Sequence, residues 1–315
     1  MKYYFGIDVG GTTVKQGLFD EDYNLLERWE IRTDKTRGGR NIIPKIAGSL
    51  EDCLERNKIS KKDIIATGMG VPGPVTKDGF INKAVNLGWG RFNLKKEAKK
   101  SLGVPVFCGN DANLAGYGEF HFGSGKEFDN IIFITIGTGI GGCIINEGKI
   151  LIGTDGSGAE IGHIHVKDDE EDSCGCGNKG CLEQYTSAKG IGRTARRMLA
   201  TTDEPSVLRD SVINAKIIFD AIKEGDKLAI KVGEEFGRYL GCAMANLANI
   251  TNPQAIILGG GVSKAGDILL TFLEEPFKKN VFHACKNVKL LCASIKNDAG
   301  IYGAAKLAGD SINNK

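Results

Sequence analysis

The apolar positions of this chain fall into short continuous runs that end at glycine-rich turns, with amphipathic stretches between them. Tyr3–Val9 is a β-branched and aromatic run, followed by Gly10-Gly11-Thr12 and a second run at Val14–Asp20. That order predicts strand, glycine turn, strand, with a third strand at Leu25–Thr33. Ile42, Ile43, Ile46, Leu50, Cys53 and Leu54 share one face at helical period and predict a helix. Ile64–Val71 and Val104–Cys108 read as buried strands, ending at Gly70-Val71-Pro72-Gly73-Pro74 and Gly109-Asn110-Asp111. The arrangement then repeats with an apolar strand at Asn130–Ile136, a glycine turn at Gly137–Gly142 and a returning strand at Cys143–Asn146. Laying Ile7-Asp8-Val9-Gly10 over Ile134-Thr135-Ile136-Gly137 aligns strand, turn and returning strand at a constant offset of 127 residues, which suggests two related lobes. Helices are expected at Ser187–Ala200, Ser206–Glu224 and Asp226–Asn249. A strand at Ala255–Leu258 opens a third turn, Gly259-Gly260-Gly261, and a strand near Val288–Ala293 precedes a last helix from Asp298. Strands alternating with helices imply an α/β fold with two sheets.

Composition adds one deviation to this picture. The 315 residues include 44 glycines, about twice the usual share, with neither a collagen period nor the proline content of a low-complexity chain. Glycine must therefore serve turns and close backbone approaches. Lys+Arg 41 against Asp+Glu 39 leaves a net charge of +2, with no basic excess for nucleic acid. No apolar run is long enough to span a membrane, and the N-terminus reads directly into a strand, so neither a membrane anchor nor a signal peptide is expected. Nine cysteines, an odd count outside any small disulfide framework, point to a reducing cytoplasm.

Candidate chemistry gathers at the turns. Backbone N–H groups in a side-chain-free turn face outward and suit an anion, phosphate above all. Gly137, Gly139 and Gly142 satisfy G-x-G-x-x-G, but strand-like residues follow where a dinucleotide fingerprint would open a helix, and no Walker A motif occurs. Asp8, beside the first turn, suits either Mg²⁺ on a polyphosphate or a turn cap, and Lys15 on the returning strand either a phosphate contact or surface charge. Asn110-Asp111-Ala112-Asn113 follows a strand, where a general base for a hydroxyl would sit, although by the residues alone an Asx turn or helix N-cap is the leading reading. His163 with Cys174, Cys176 and Cys181 places one imidazole and three thiols within 19 residues, a donor set for tetrahedral Zn²⁺. His165 competes with His163 for the nitrogen position, and spacing does not choose between them. Glu160 and Glu183 bracket this cluster and suit either polyol hydroxyls or solvent.

These motifs together resemble the ROK family of repressors and sugar kinases, in particular its bacterial glucokinase type, over essentially the whole chain. The resemblance rests on Asp8-Val9-Gly10-Gly11-Thr12 with Lys15, Gly70-Val71-Pro72-Gly73-Pro74, Asn110-Asp111-Ala112-Asn113, Thr135–Gly142, Glu160-Ile161-Gly162-His163, the Cys174–Glu183 motif and Leu258-Gly259-Gly260-Gly261. It implies a two-lobed actin-like, hexokinase-type ATPase fold, ribonuclease H-like, with a central cleft. Its small lobe would be residues 1–113 plus 298–315, with the first phosphate loop and the catalytic Asp. The large lobe, 114–297, would hold the second phosphate loop, the zinc site and the adenosine side. It implies ATP-dependent phosphorylation of D-glucose at the 6-hydroxyl, with Asp111 taking the proton. Gly70, Asn86, Asn110, Asp111, Glu160, His163 and Glu183 would contact the sugar. Asp8, Gly10, Gly11, Thr12, Thr13, Lys15, Gly137, Thr138, Gly139, Gly260 and Gly261 would hold the nucleotide with Mg²⁺. A structural Zn²⁺ would sit on His163, Cys174, Cys176 and Cys181, with the other imidazole nitrogen toward the sugar. Many relatives carry Pro where Gly88 stands in Val85-Asn86-Leu87-Gly88-Trp89, which implies a more mobile sugar-side loop. The family's repressors carry a helix-turn-helix domain ahead of the first glycine motif, where this chain has only a few residues. A cytoplasmic homo-oligomer, dimer or tetramer, is expected. The alternatives are a kinase for another hexose or hexosamine, such as fructose or N-acetylmannosamine, and a non-catalytic sugar sensor.

Overall fold

The structure is a computed structural model in which residues 1–313 are described. In chain order it begins β1 (Tyr3–Val9), β2 (Thr13–Asp20), β3 (Leu25–Arg32), α1 (Ile42–Asn57), β4 (Ile64–Val71), β5 (Phe80–Ile81), β6 (Phe92–Asn93), α2 (Leu94–Leu102), β7 (Val106–Asn110) and α3 (Asp111–Phe122). It continues β8 (Ile131–Ile136), β9 (Ile140–Asn146), β10 (Lys149–Ile150), α4 (Ala188–Thr201), α5 (Ala215–Lys223), α6 (Lys227–Thr251), β11 (Ala255–Gly259), α7 (Asp267–Asn280), β12 (Lys289–Cys292) and α8 (Ala299–Asn313). Two compact units emerge. One comprises Met1–Lys126, Ile150–Ala159 and, among the described residues, 295–313; the other comprises Glu127–Lys149 and Glu160–Ser294. Residues 114–126 thus pack with the first unit, because α3 carries the chain on from Asp111 to Phe122 within it.

Each unit carries one five-stranded sheet of the same design, ordered β3-β2-β1-β4-β7 in the first and β10-β9-β8-β11-β12 in the second. In both, an antiparallel hairpin is extended by two parallel strands, β1–β4–β7 and β8–β11–β12. The sequence echo is therefore an architectural repeat, but its offset is not constant. Val9 faces Val14 across four turn residues, whereas Ile136 faces Ile140 across three. The returning strand of the second hairpin begins at Ile140, so Gly141 and Gly142 lie in a strand and the turn is only Gly137–Gly139. Among the helices, 206–214 does not form the predicted continuation of α5. Ser206 and Asp226 side chains take the Leu208 and Val207 N–H groups, and Asn214 caps α5 by accepting from Ile217 N–H at 3.0 Å; such side-chain bonds compete with helix.

Alternation along β1 sorts the first core. Phe5, Ile7 and Val9 join Leu18, Ile42, Ile46, Leu50 and Leu94 on one face, while Tyr4 joins Phe19, Ala66, Ile301 and Ala305 on the other. On that second face α8 lies flush against the sheet. A Cβ on Gly6 or Gly68 would overlap the carbonyl oxygens of Ile301 and Ala304, and one on Gly303 would overlap that of Leu114 in α3. In α6, Gly237 faces Phe272 of α7 with the same lack of room, and Gly233 and Gly241, four residues to either side, meet Phe272 and Pro276. Among the described residues, no helix is long and apolar enough to cross a membrane.

These contacts separate two kinds of glycine. Gly68→Ala forces α8 away from the sheet and should destabilise by about 1–3 kcal/mol or more. Gly48, exposed inside α1 with nothing within 4 Å of a new Cβ, should gain about 0.5–1 kcal/mol as Ala. Urea unfolding of both variants measures the contrast.

Candidate functional site

The first unit brings its predicted residues to one edge. In the parallel register Asp8 stands beside Gly70, and Gly70 beside Gly109, so the C-terminal ends of β1, β4 and β7 align. Ligands bind at such ends in open α/β sheets. β7 runs two residues further than predicted, which makes Asn110 its last residue and Asp111 the first of α3. Asn110 is the helix cap. Its Oδ1 accepts from Asn113 N–H at 3.0 Å, and its amide donates to Gly73 O at 3.2 Å. Asp111 is not the cap; its Oδ1 accepts from Ala112 N–H at 2.8 Å, and the helix N-terminus favours its negative charge. Between the two acidic strands lies Gly70, where a Cβ would stand 3.5 Å from Asp111 Cα.

Asp8 makes no turn cap. It faces Lys15 across the β1–β2 ladder, with Lys15 Nζ 3.8 Å from Oδ2 and donating to Asn297 O at 2.8 Å. Burial pushes the Asp8 carboxyl up to about 6; Lys15 pulls it down, and the charges of Asp111 and Asp298 push it up again. A carboxylate so crowded by others gains from a cation in its place of protonation. The turn after it is closed by Gly10 N–H donating to Thr13 O at 2.9 Å and is tied to the end of β3 by Thr33, whose hydroxyl donates to Gly10 O at 2.7 Å and whose N–H donates to Thr12 O at 3.0 Å. Asn86 lies in a one-turn segment, Val85–Leu87, beside Gly11, where a Cβ would stand 3.7 Å from Asn86 Cβ. Gly88 ends that turn with φ of +75°, a value closed to Pro, and Ala84 and Trp89 bond each other's backbones across the loop.

The second unit holds the other set. The ligand atoms of His163, Cys174, Cys176 and Cys181 all lie within 4.8 Å of one another. Cys174 Sγ is 3.7 Å from His163 Nδ1, and Cys176 Sγ is 3.7 Å from Cys181 Sγ. Thiolates about 2.3 Å from a shared tetrahedral Zn²⁺ stand about 3.8 Å apart, so the donors fit such an ion. The rival His165 is excluded: Nδ1 lies 3.0 Å from Lys179 O and Nε2 2.9 Å from Asp168. Glu183 joins this cluster to the second glycine turn. Its Oε1 accepts from Cys174 Sγ at 3.0 Å, and its Oε2 lies 3.4 Å from Ile140 N–H. The Ile161–His163 turn follows Glu160, with His163 N–H donating to Glu160 O at 3.1 Å, and its Gly162 packs against the Ile140 backbone. Gly260, at φ of +87°, sits directly on Ile136, and Gly261 follows it at the foot of β11.

Comparison with known proteins now bears on this geometry. The ROK family model matches residues 4–311. The chain belongs to the ROK family. Among ROK relatives it is 40% identical to a glucokinase of Halalkalibacterium halodurans over 99% of this chain and 96% of that one. It is 35% identical to a Thermotoga maritima glucokinase over 98% of this chain and 97% of that one. Its fold matches a Streptomyces griseus ROK glucokinase crystallised with glucose and AMPPNP, with a TM-score of 0.82, 34% identity and coverage of 98% and 99%. The fold is thus the actin-like ATPase type of the ROK kinases.

One structural group of this ROK chain is invisible in its motifs. Glu170 sits in an acidic run, 168–172, that reads as solvated surface, yet its side chain is only 1% exposed. Arg193 and Arg197 both bond it, as do the Tyr185 hydroxyl and Asp172 N–H. Two arginines four apart on α4 were the available signal. Burial works against the Glu170 charge, but Arg197, Tyr185, Asp172 N–H and Arg193 outweigh it and hold the carboxyl well below its ordinary range. A carboxyl depressed in the fold stabilises above its unfolded pKa of about 4.3 and loses that contribution as pH falls through and below it. Glu170→Gln should cost about 1–3 kcal/mol at pH 7, moderated because Arg197 is half exposed, and should flatten the acid limb of stability against pH. Thermal melts from pH 7 to 3 test both.

Proposed function

We propose that this chain transfers the γ-phosphoryl group of ATP to the 6-hydroxyl of D-glucose, giving ADP and glucose 6-phosphate. The observation that carries the reading is the pair of carboxylates, Asp8 near the end of β1 and Asp111 just past the end of β7, with side-chain-free Gly70 of β4 between them. Two strand spacings leave about 10 Å between their backbones, room for a phosphoryl group and an acceptor hydroxyl. The names of the relatives, and the glucose and AMPPNP of the Streptomyces griseus structure, supply the choice of sugar and donor.

In this reading Asp111 accepts the proton of the 6-hydroxyl as that oxygen attacks phosphorus. Asn110, Gly70, Asn86, Glu160, His163 and Glu183 hold the remaining hydroxyls. The turns at Gly10–Thr13 and Gly137–Gly139 offer backbone N–H groups to phosphates, with Lys15 beside the first and Gly260–Gly261 toward the adenosine. Asp8 would hold the nucleotide's Mg²⁺, which when bound neutralises charge on the β- and γ-phosphates. Phosphoryl transfer asks mainly for such positioning and charge neutralisation. His163, Cys174, Cys176 and Cys181 would hold a structural Zn²⁺. Nδ1 faces the thiols, which leaves the proton on Nε2 as a donor to sugar. A thiolate at Cys174 no longer donates to Glu183, which frees that oxygen for a hydroxyl. Ile250 and Phe282, exposed and linked by the Phe282 N–H bond to Asn249, are surface that a homo-oligomer would cover.

Asp111→Ala should lower kcat by about 10²–10⁴ with the melting temperature unchanged; turnover within tenfold of wild type removes Asp111 from the role. ADP release measured across glucose, mannose, fructose and N-acetylmannosamine identifies the substrate. A best kcat/KM for another hexose replaces glucose, and binding without ADP release makes the chain a sensor. Metal analysis should find about one zinc per chain. Cys176→Ala should lose it and raise the KM for sugar, and a metal-replete variant rejects the site.

A further inference from the structure

A cavity of about 760 Å³ opens in the first unit beside the Asn86 loop, lined by 37–40, 43–44, 88–92, 97 and 100–101. Asp8, Gly70, Asn110 and Asp111 do not line it, so it is separate from the catalytic edge. Its volume lies within the range of small-molecule sites. Four cations, Arg37, Arg40, Arg91 and Lys100, face one carboxylate, Glu97. None of these five makes an ion pair or side-chain hydrogen bond with any described residue. Arg28, Lys45 and Arg56 of the same unit do find carboxylates. The floor is aromatic: Trp89 is buried and meets Phe92 edge to face, with ring centroids 5.3 Å apart. One rim runs through three left-handed residues, Arg37, Gly38 and Gly39, at φ of +53°, +67° and +74°, and Arg37 is the non-glycine among them. A non-glycine residue held there costs free energy and marks a place to look for function.

We propose that this cavity binds a phosphomonoester, with guanidinium groups on the phosphate and the apolar body of the ligand against Phe92, which is backed by Trp89. Unpaired guanidinium forks match phosphate oxygens bidentately, and an aromatic ring accepts the C–H face of a sugar ring. A hexose phosphate meets both demands, and free phosphate meets the first. The walls are the two loops that support Asn86. Trp89 Nε1 donates to Gly39 O at 2.9 Å, and Gly88 lies against Gly38. An occupant braced between Arg40 and Arg91 therefore bears on the sugar loop. This coupling, unlike the binding itself, rests on the reading of Asn86 as a sugar contact. The site would let a phosphorylated product alter KM for the sugar while leaving kcat in place.

Calorimetric titration of the full chain with glucose 6-phosphate, and separately with inorganic phosphate, tests the proposal. Glucose is kept saturating to occupy the catalytic edge, and Trp89 fluorescence is followed in a Trp29→Phe background. Saturable binding should weaken about tenfold or more in Arg40→Gln/Arg91→Gln, with melting temperature and kcat unchanged. Tighter binding of the sugar phosphate identifies a phosphosugar site; equal binding identifies a phosphate site. Absence of saturable binding by either ligand, or binding unchanged in the double variant, overturns the proposal. No turnover is measured in the titration, so its failure is distinct from failure of the kinase reading.

Discussion

The first unit depends on backbone-to-backbone contact between its sheet and its last helix. Gly6, Gly68 and Gly303 remove the side chains that would hold α8 away from β1, β4 and α3. At that distance dispersion is strongest and no space remains for repacking. The start of the helix is then fixed against the strand end that carries Asp8, since a Cβ on Gly300 would stand 2.9 Å from the Asp8 carboxyl carbon. The same packing brings Asp298 near Asp8 and anchors it to Arg28 at 2.6 Å. A stretch of chain nearly 300 residues distant thereby helps set the charge environment of a residue near the N-terminus.

That environment crowds the Asp8 carboxylate. Asp111 and Asp298 lie close to it, Asp298 is paired with Arg28, and Lys15 beside Asp8 spends its hydrogen bond on a backbone carbonyl. Burial and like charge raise Asp8, a cost that a divalent ion relieves. The cysteine cluster follows the same logic with softer donors. Three thiols and an imidazole are gathered before any ion is considered, and Glu183 carries their position to the second glycine turn. Sites of this kind contradict local stability, which the surrounding rigid packing must supply.

Much was legible along the chain because apolar runs and glycines report the backbone directly. β1 and β4 appear at the predicted residues, as does α1 over its apolar face. The Cys174–Cys181 spacing announced a donor set, since winding a short loop onto one point needs glycines at fixed places. Less legible were 206–214, where serine, aspartate and asparagine side chains took over backbone bonds, and the one-residue difference between the two hairpin turns. Neither leaves a mark in hydrophobic period, because both are decided by single hydrogen bonds.

By itself the sequence determined the strands, the glycine turns, the repeated design and the identity of the chemical groups. These depend on residues near one another in the chain, where periodicity and spacing carry the information. Only the tertiary structure decided that His163 rather than His165 faces the thiols, that Asn110 rather than Asp111 caps α3, and that Glu170 of an acidic run is buried. It also decided which cations find partners and which stand unpaired around a cavity. Each of these turns on a competition for a partner distant in sequence, and such a competition is settled only when the packed backbone fixes which groups meet.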